Sequence, residues 1–282
     1  MLRRIFFAGL LLALAGCAAS DASAGQRARM LVHKGREKEA IELLRDHLAA
    51  HPNALEERKL LIRIVALTGD LGAAEREATA LSARLGPGDP TPWIEMGYAL
   101  ELSHRYEEAL AMYDRAAEVA PKSAAGPRAG GSRAAVWGEA ELAEPRLTEA
   151  LRRDPRDPKS WHTLGLVRLK LGDSKGAKAA YAAGLAADPS ALENRLGLAT
   201  VAVAERDAHA ALEHYAALCR ARPKLGDLQL GRAWALLELG RLGEAEAALA
   251  QAERLGASRS AIRAQRSLLA KLRSGAEAQR IR

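Results

Sequence analysis

Residues 158–189 read PKSWHTLGLVRLKLGDSKGAKAAYAAGLAADP, two helical segments meeting at Gly172 and closing on Pro189. That proline belongs to a series at 87, 121, 155, 189 and 223, each 34 residues after the last. The same period runs through Gly138, Gly172 and Gly240 at the helix–helix turn, with Gly35 and Gly69 matching nearer the N-terminus. Ala109, Ala143, Ala177, Ala211 and Ala245 follow that turn, and Tyr113, Leu147, Tyr181, Tyr215 and Leu249 come four residues later again. Proline cannot continue a helix, so a proline at this interval separates one helical pair from the next. A fixed period of this length means an array of supersecondary units.

Composition agrees with an all-helical reading. Only 4% of the 282 residues are aromatic, and both phenylalanines lie at positions 6 and 7. A core of alanine and leucine suits closely packed helices better than strands, which favour β-branched and aromatic residues.

The copies at 90–121 and 158–189 resemble the tetratricopeptide repeat. They match its Trp, Leu-Gly, Ala, aromatic and Pro positions through Trp93, Gly97, Ala109, Tyr113 and Pro121, then Trp161, Leu164, Gly165, Ala177, Tyr181 and Pro189. Met96 stands where the family has leucine. The resemblance implies a right-handed superhelical solenoid of about seven helix-turn-helix repeats with a C-terminal cap helix. The period places repeats at about 21–54, 55–89, 90–123, 124–157, 158–191, 192–225 and 226–259. The cap is expected at 260–273, with the array over 25–273 and a fraying tail at 274–282.

The N-terminus begins MLRRIFFAGLLLALAGC. Arg3 and Arg4 precede an apolar run from Ile5 to Ala15, too short to span a bilayer but suited to a secretory signal. Leu14-Ala15-Gly16-Cys17 resembles a bacterial lipobox, which implies cleavage after residue 16, acylation of Cys17 and a tether over 17–24. More than one acyl chain anchors stably, and the lack of Asp at position 18 implies sorting to the outer membrane. Loss of Arg3 and Arg4 leaves 40 basic against 35 acidic residues, a net charge of +5 without a dense basic run. Nucleic acid is therefore not expected as a partner. Cys219 is left without a disulfide mate and reads as a small buried apolar residue.

PKSAAGPRAGGSRAAVWG (121–138) is the one glycine-rich interruption. Gly126 to Gly131 has the spacing of a phosphate loop, but no lysine follows and no strand precedes. Pro121 and Pro155 keep the period across it, so it belongs to the first helix of the fourth repeat. Three glycines there, and Pro145 in the second helix, predict a shortened or distorted pair and a candidate joint. His47 and His51 share a helical face but lack a third ligand. Asp154, Asp157 and Asp188 read as turn and cap residues. No nucleophile–base pair is visible, so no enzyme activity, metal or cofactor is expected.

In the family, the first helix of each repeat lines a partner-binding groove. Register carries that surface onto Arg29, Lys59, Arg63, Ile94, Tyr98, Glu101 and Arg128 in the N-terminal half. It continues through His162, Leu166, Leu169, Leu196, Val203, Leu230, Trp234 and Leu237 in the apolar C-terminal half. Trp234 is read either as an anchor for a partner segment or as packing between repeats. The Lys/Asn pattern of chaperone-tail clamps is not matched. Together these readings describe an outer-membrane lipoprotein scaffold that faces the periplasm and binds envelope proteins. The lipobox, the array length and the odd fourth repeat resemble myxobacterial gliding-motility lipoproteins, which implies partners among motility-complex components or β-barrels. A pilotin-type lipoprotein serving a type IV pilus secretin is the alternative, and an accessory regulator of an envelope enzyme a third.

Overall fold

The structure, a computed structural model, describes residues 23–280, with side chains described to residue 275. The signal sequence, Cys17 and most of the tether lie outside the described residues. Fifteen α-helices and no strand occur among the described residues. The chain divides into two compact units at Ala134/Ala135.

The first unit contains α1 (Ala24–His33), α2 (Glu37–Ala50), α3 (Leu55–Leu67), α4 (Leu71–Leu85), α5 (Thr91–Leu102) and α6 (Tyr106–Val119). These are antiparallel pairs, and α3 also packs along α5. Leu44, Leu61, Ile62 and Leu81 are fully buried between them. α1 starts inside the expected tether because Ser23 and Gln26 form a reciprocal capping box. The division falls within α7 (Ala125–Trp137).

The second unit continues with α8 (Ala140–Arg153), α9 (Pro158–Lys170), α10 (Ser174–Ala187), α11 (Leu192–Ala204) and α12 (Ala208–Ala221). It ends in α13 (Gly226–Glu238), α14 (Leu242–Arg254) and α15 (Arg259–Arg280). Here too the first helices touch one another, α9 against α11 and α13 against α15. Tyr181 joins Ala177, Leu198 and Val201 in one apolar cluster. A larger cluster from Leu230 to Leu269 binds α13, α14 and α15.

Local chemistry explains the period. Asp70, Asp173 and Asp207 cap second helices by accepting from the amides of Ala73, Gly176 and Ala210 at 2.9, 2.8 and 3.0 Å. The turn before each second helix needs a left-handed residue. Gly138, Gly172 and Gly240 supply it, and His104 and Arg206 occupy the same place at φ 61° and 57°. A side chain in that region costs about 1–2 kcal/mol. Arg206→Gly is therefore expected to raise stability by about 1 kcal/mol, read as a higher denaturant midpoint; a lower midpoint counts against the strain.

Two expectations are corrected. α7 is neither shortened nor broken: it runs 13 residues with Gly126, Pro127, Gly130, Gly131 and Ala134 buried. Pro127 stands in its first turn, where the missing amide is harmless. Pro145 lies inside α8 and the helix continues past it, its ring exposed. The cap helix does not end near residue 273 but runs to Arg280, because Gly275 is the only poor helix former among Ala, Glu, Gln and Arg.

Candidate functional site

The first-helix faces are where register places a binding surface, and the two units differ there. In the first unit the expected basic face is largely neutralised from within. The Arg63 guanidinium donates twice to Glu95, at 2.6 and 2.8 Å, and lies over the Tyr98 ring at 5.1 Å. Glu95 is only 5% exposed, so removing Arg63 would strand a buried carboxylate. Lys59 reaches Glu56 at 2.8 Å, and Arg133 pairs with Glu101. Tyr98 stacks edge-on against Tyr113, with ring centroids 5.7 Å apart. Ile94 and Arg128 are half-buried, and Arg29 is exposed on α1. Arg63 is thus a structural ion-pair partner before it is a free cation, although its side chain stays partly exposed on the first-helix face.

The second unit carries the apolar part. Leu166 on α9 is 50% exposed and Leu196 on α11 is 42% exposed, on helices that touch. Beside them, His162 is half-buried with its ring 5.9 Å from Tyr181. Burial lowers its pKa below the usual histidine value, opposed by Glu193. Leu169 packs on the Tyr181 cluster. Val203 and Trp234 both pack on Ala202, Ala211 and Ala235, so the indole is half-buried between helical pairs.

Leu230 and Leu237 do not line a surface. Leu230 is 8% exposed inside the core that α15 closes, and its carbonyl accepts from Gln265 of α15 at 3.2 Å. The cap helix covers α13 as a further first helix would. α15 presents Leu268 and Leu272, both exposed, which register over seven repeats did not assign. Their signal was the cap's own amphipathic pattern.

The His47 and His51 rings stack at 4.5 Å at the C-terminal end of α2, which His51 caps, and His51 Nδ1 lies 3.2 Å from the His47 carbonyl. No group of three or more His, Cys, Asp or Glu placed to hold a metal ion occurs among the described residues. Cys219 is buried beside Leu218 and Leu228, and burial raises its thiol pKa. No described helix is long and apolar enough to cross a membrane.

Comparison with known proteins agrees with this geometry. Three overlapping segments, 131–191, 162–225 and 196–261, match the tetratricopeptide repeat family. A heat-shock cognate co-chaperone of Aspergillus fumigatus, sgt12, is 35% identical over 108 residues. That match spans 36% of this chain and 31% of the length of that relative. The fold is similar to that of YrrB, described as a TPR protein with an unusual peptide-binding site. The two share 20% identity and a TM-score of 0.58 over 67% of this chain and 97% of that one. It is also similar to the C-terminal part of a TPR repeat-containing protein from Cytophaga hutchinsonii. There the identity is 17% and the TM-score 0.61, over 84% of this chain and 98% of that one. The chain is a helical repeat protein whose residues 131–261 match the tetratricopeptide repeat family.

Proposed function

We propose that the chain is a protein-binding scaffold and that the first-helix face of its second unit receives an apolar segment of a partner. The observation that carries this is the pair Leu166 and Leu196, each leaving a large part of its side chain in water on neighbouring first helices. A single exposed leucine is ordinary, but two exposed leucines on touching first helices form an apolar strip. Completing the burial of one leucine contributes up to about 1.5–3 kcal/mol to association. The same fold carries the peptide-binding site for which YrrB is described. A photo-crosslinking residue placed at 166 or 196 is expected to trap the same discrete partner in cells. The same probe at exposed Ala179 on α10 is expected to trap none. Equal trapping from all three positions would remove the assignment.

The setting proposed rests on the sequence motif Leu14–Cys17 and on the resemblance to envelope lipoproteins. In it the chain is acylated at Cys17, sits at the outer membrane facing the periplasm, and holds envelope proteins of a gliding-motility complex. Cys17→Ala is expected to release it from the membrane fraction; continued sedimentation with outer membrane would sink the anchor. Intact gliding with lost secretin multimers on deletion would move the chain to the pilus alternative.

A further inference from the structure

The turn between α12 and α13 and the turn between α14 and α15 lie against each other. A Cβ on Gly226 would stand 2.9 Å from the Ala257 Cβ and 3.0 Å from the Ala257 amide nitrogen. The first turn exposes Arg220, Arg222 and Lys224; the second exposes Arg254, Arg259 and, just inside α15, Arg263. The same two segments carry the carboxylates Asp227 and Glu253, and Glu253 is already held by Arg266 at 2.7 Å. None of the six cations joins an ion pair among the described residues. Arg254 donates to the neutral Gln251 side chain and Arg263 to the Arg259 carbonyl. By contrast, Arg152 and Arg153 share Glu149, and Arg241 is matched by Glu244.

Two further features lie on this edge. Leu225, adjacent to Lys224, is 53% exposed. An open concavity of about 790 Å³ lies at the second turn, lined by Ser258, Arg259 and Ser260 and also by Glu253, whose carboxylate Arg266 holds. The amino end of α15 faces the same region and adds positive potential. An exposed leucine among unpaired cations fits the bilayer interface, where phosphates lie above the ends of acyl chains. Single-stranded nucleic acid is favoured by stacking platforms, and neither turn contains an aromatic residue.

We infer that this edge docks on an anionic phospholipid surface, Leu225 entering the acyl boundary while the cations and the serine-lined concavity meet headgroup phosphates. The inference uses neither the leucine strip of α9 and α11 nor acylation of Cys17. Each cation near an anionic surface contributes roughly fivefold in partitioning, so three contribute on the order of 100-fold.

The test is flotation of the full chain with two kinds of vesicle, phosphatidylcholine alone and an equal mixture with phosphatidylglycerol. An acyl group contributes alike to both, so the ratio of the two partition coefficients reports the edge. The wild-type ratio is expected to reach at least about 100 at low salt and to collapse as salt rises. Arg220→Glu with Arg222→Glu and Lys224→Glu is expected to bring it near one. Lys175→Glu with Arg206→Glu, at exposed positions on α10 and the α11–α12 turn, is expected to preserve it. A wild-type ratio near one overturns the inference, and so does a ratio that survives the triple reversal. Capture on polyglutamate beads with a vesicle ratio near one would assign the edge to an acidic protein and also overturns it. If the triple variant loses its helical circular dichroism, the wild-type ratio and its salt dependence still decide.

Discussion

Tyr181→Ala is expected to cost about 3–5 kcal/mol, whereas Tyr181→Phe is expected to leave stability unchanged or raise it by up to about 1 kcal/mol. The ring is gripped from two sides. A Cβ on Gly165, in the same helical pair, would stand 2.6 Å from Tyr181 Cδ1, and one on Gly197, in the next pair, 2.6 Å from the same atom. Both glycines are small because the ring lies flat against their helices, so deleting the ring empties space that two backbones define. Neither backbone can collapse into that space without leaving its own helix, which puts the loss at the upper end for aromatic truncation. The hydroxyl is different. It is buried without a protein hydrogen-bond partner, and burial raises its pKa. Removing the oxygen relieves a desolvated polar group while keeping the ring. Urea unfolding followed by far-UV circular dichroism separates the two substitutions. A phenylalanine variant weakened as much as the alanine variant would mean that the hydroxyl, not the ring, holds the pairs together.

The period revealed this interlock only in part. Tyr113, Tyr181 and Tyr215 recur in the sequence, and the small residues near them recur as well. The pairing of Tyr181 with Gly197, and of Tyr215 with Gly231, joins consecutive helical pairs and follows from packing, not from one repeat read alone. Charge was less legible than shape. Register places Arg63 on a first-helix face, but Glu95, which neutralises it, sits 32 residues on and is buried. A charged residue at a surface register says nothing about which neighbour reaches it. Leu230 went astray for a related reason. Register places it on an open first-helix face without saying which face the expected cap covers, and α15 closes it as an eighth first helix would.

The glycine-rich helix gives a test in which the sign, not only the size, is decided. By propensity alone, replacing a helical glycine with alanine gains up to about 1 kcal/mol. Gly243→Ala, at the second position of α14, is expected to do this by about 0.4–1 kcal/mol, because a Cβ there meets nothing within 4 Å. Gly126 holds the same second position in α7. A Cβ on it would stand 2.5 Å from the Ala117 amide nitrogen and 2.7 Å from the Ala116 carbonyl carbon. Those atoms are backbone in the last turn of α6 and cannot swing aside as a side chain could. Gly126→Ala is therefore expected to destabilise by about 1–3 kcal/mol, the overpacking penalty exceeding the propensity gain. Hydrogen exchange across α6 and α7 should rise in this variant and stay at wild-type levels in Gly243→Ala. If both alanines stabilise, the glycines of 126–131 are a weakness in the repeat. If the signs differ, Gly126 is what lets α7 lie directly on the backbone of α6, and flexibility is not its purpose.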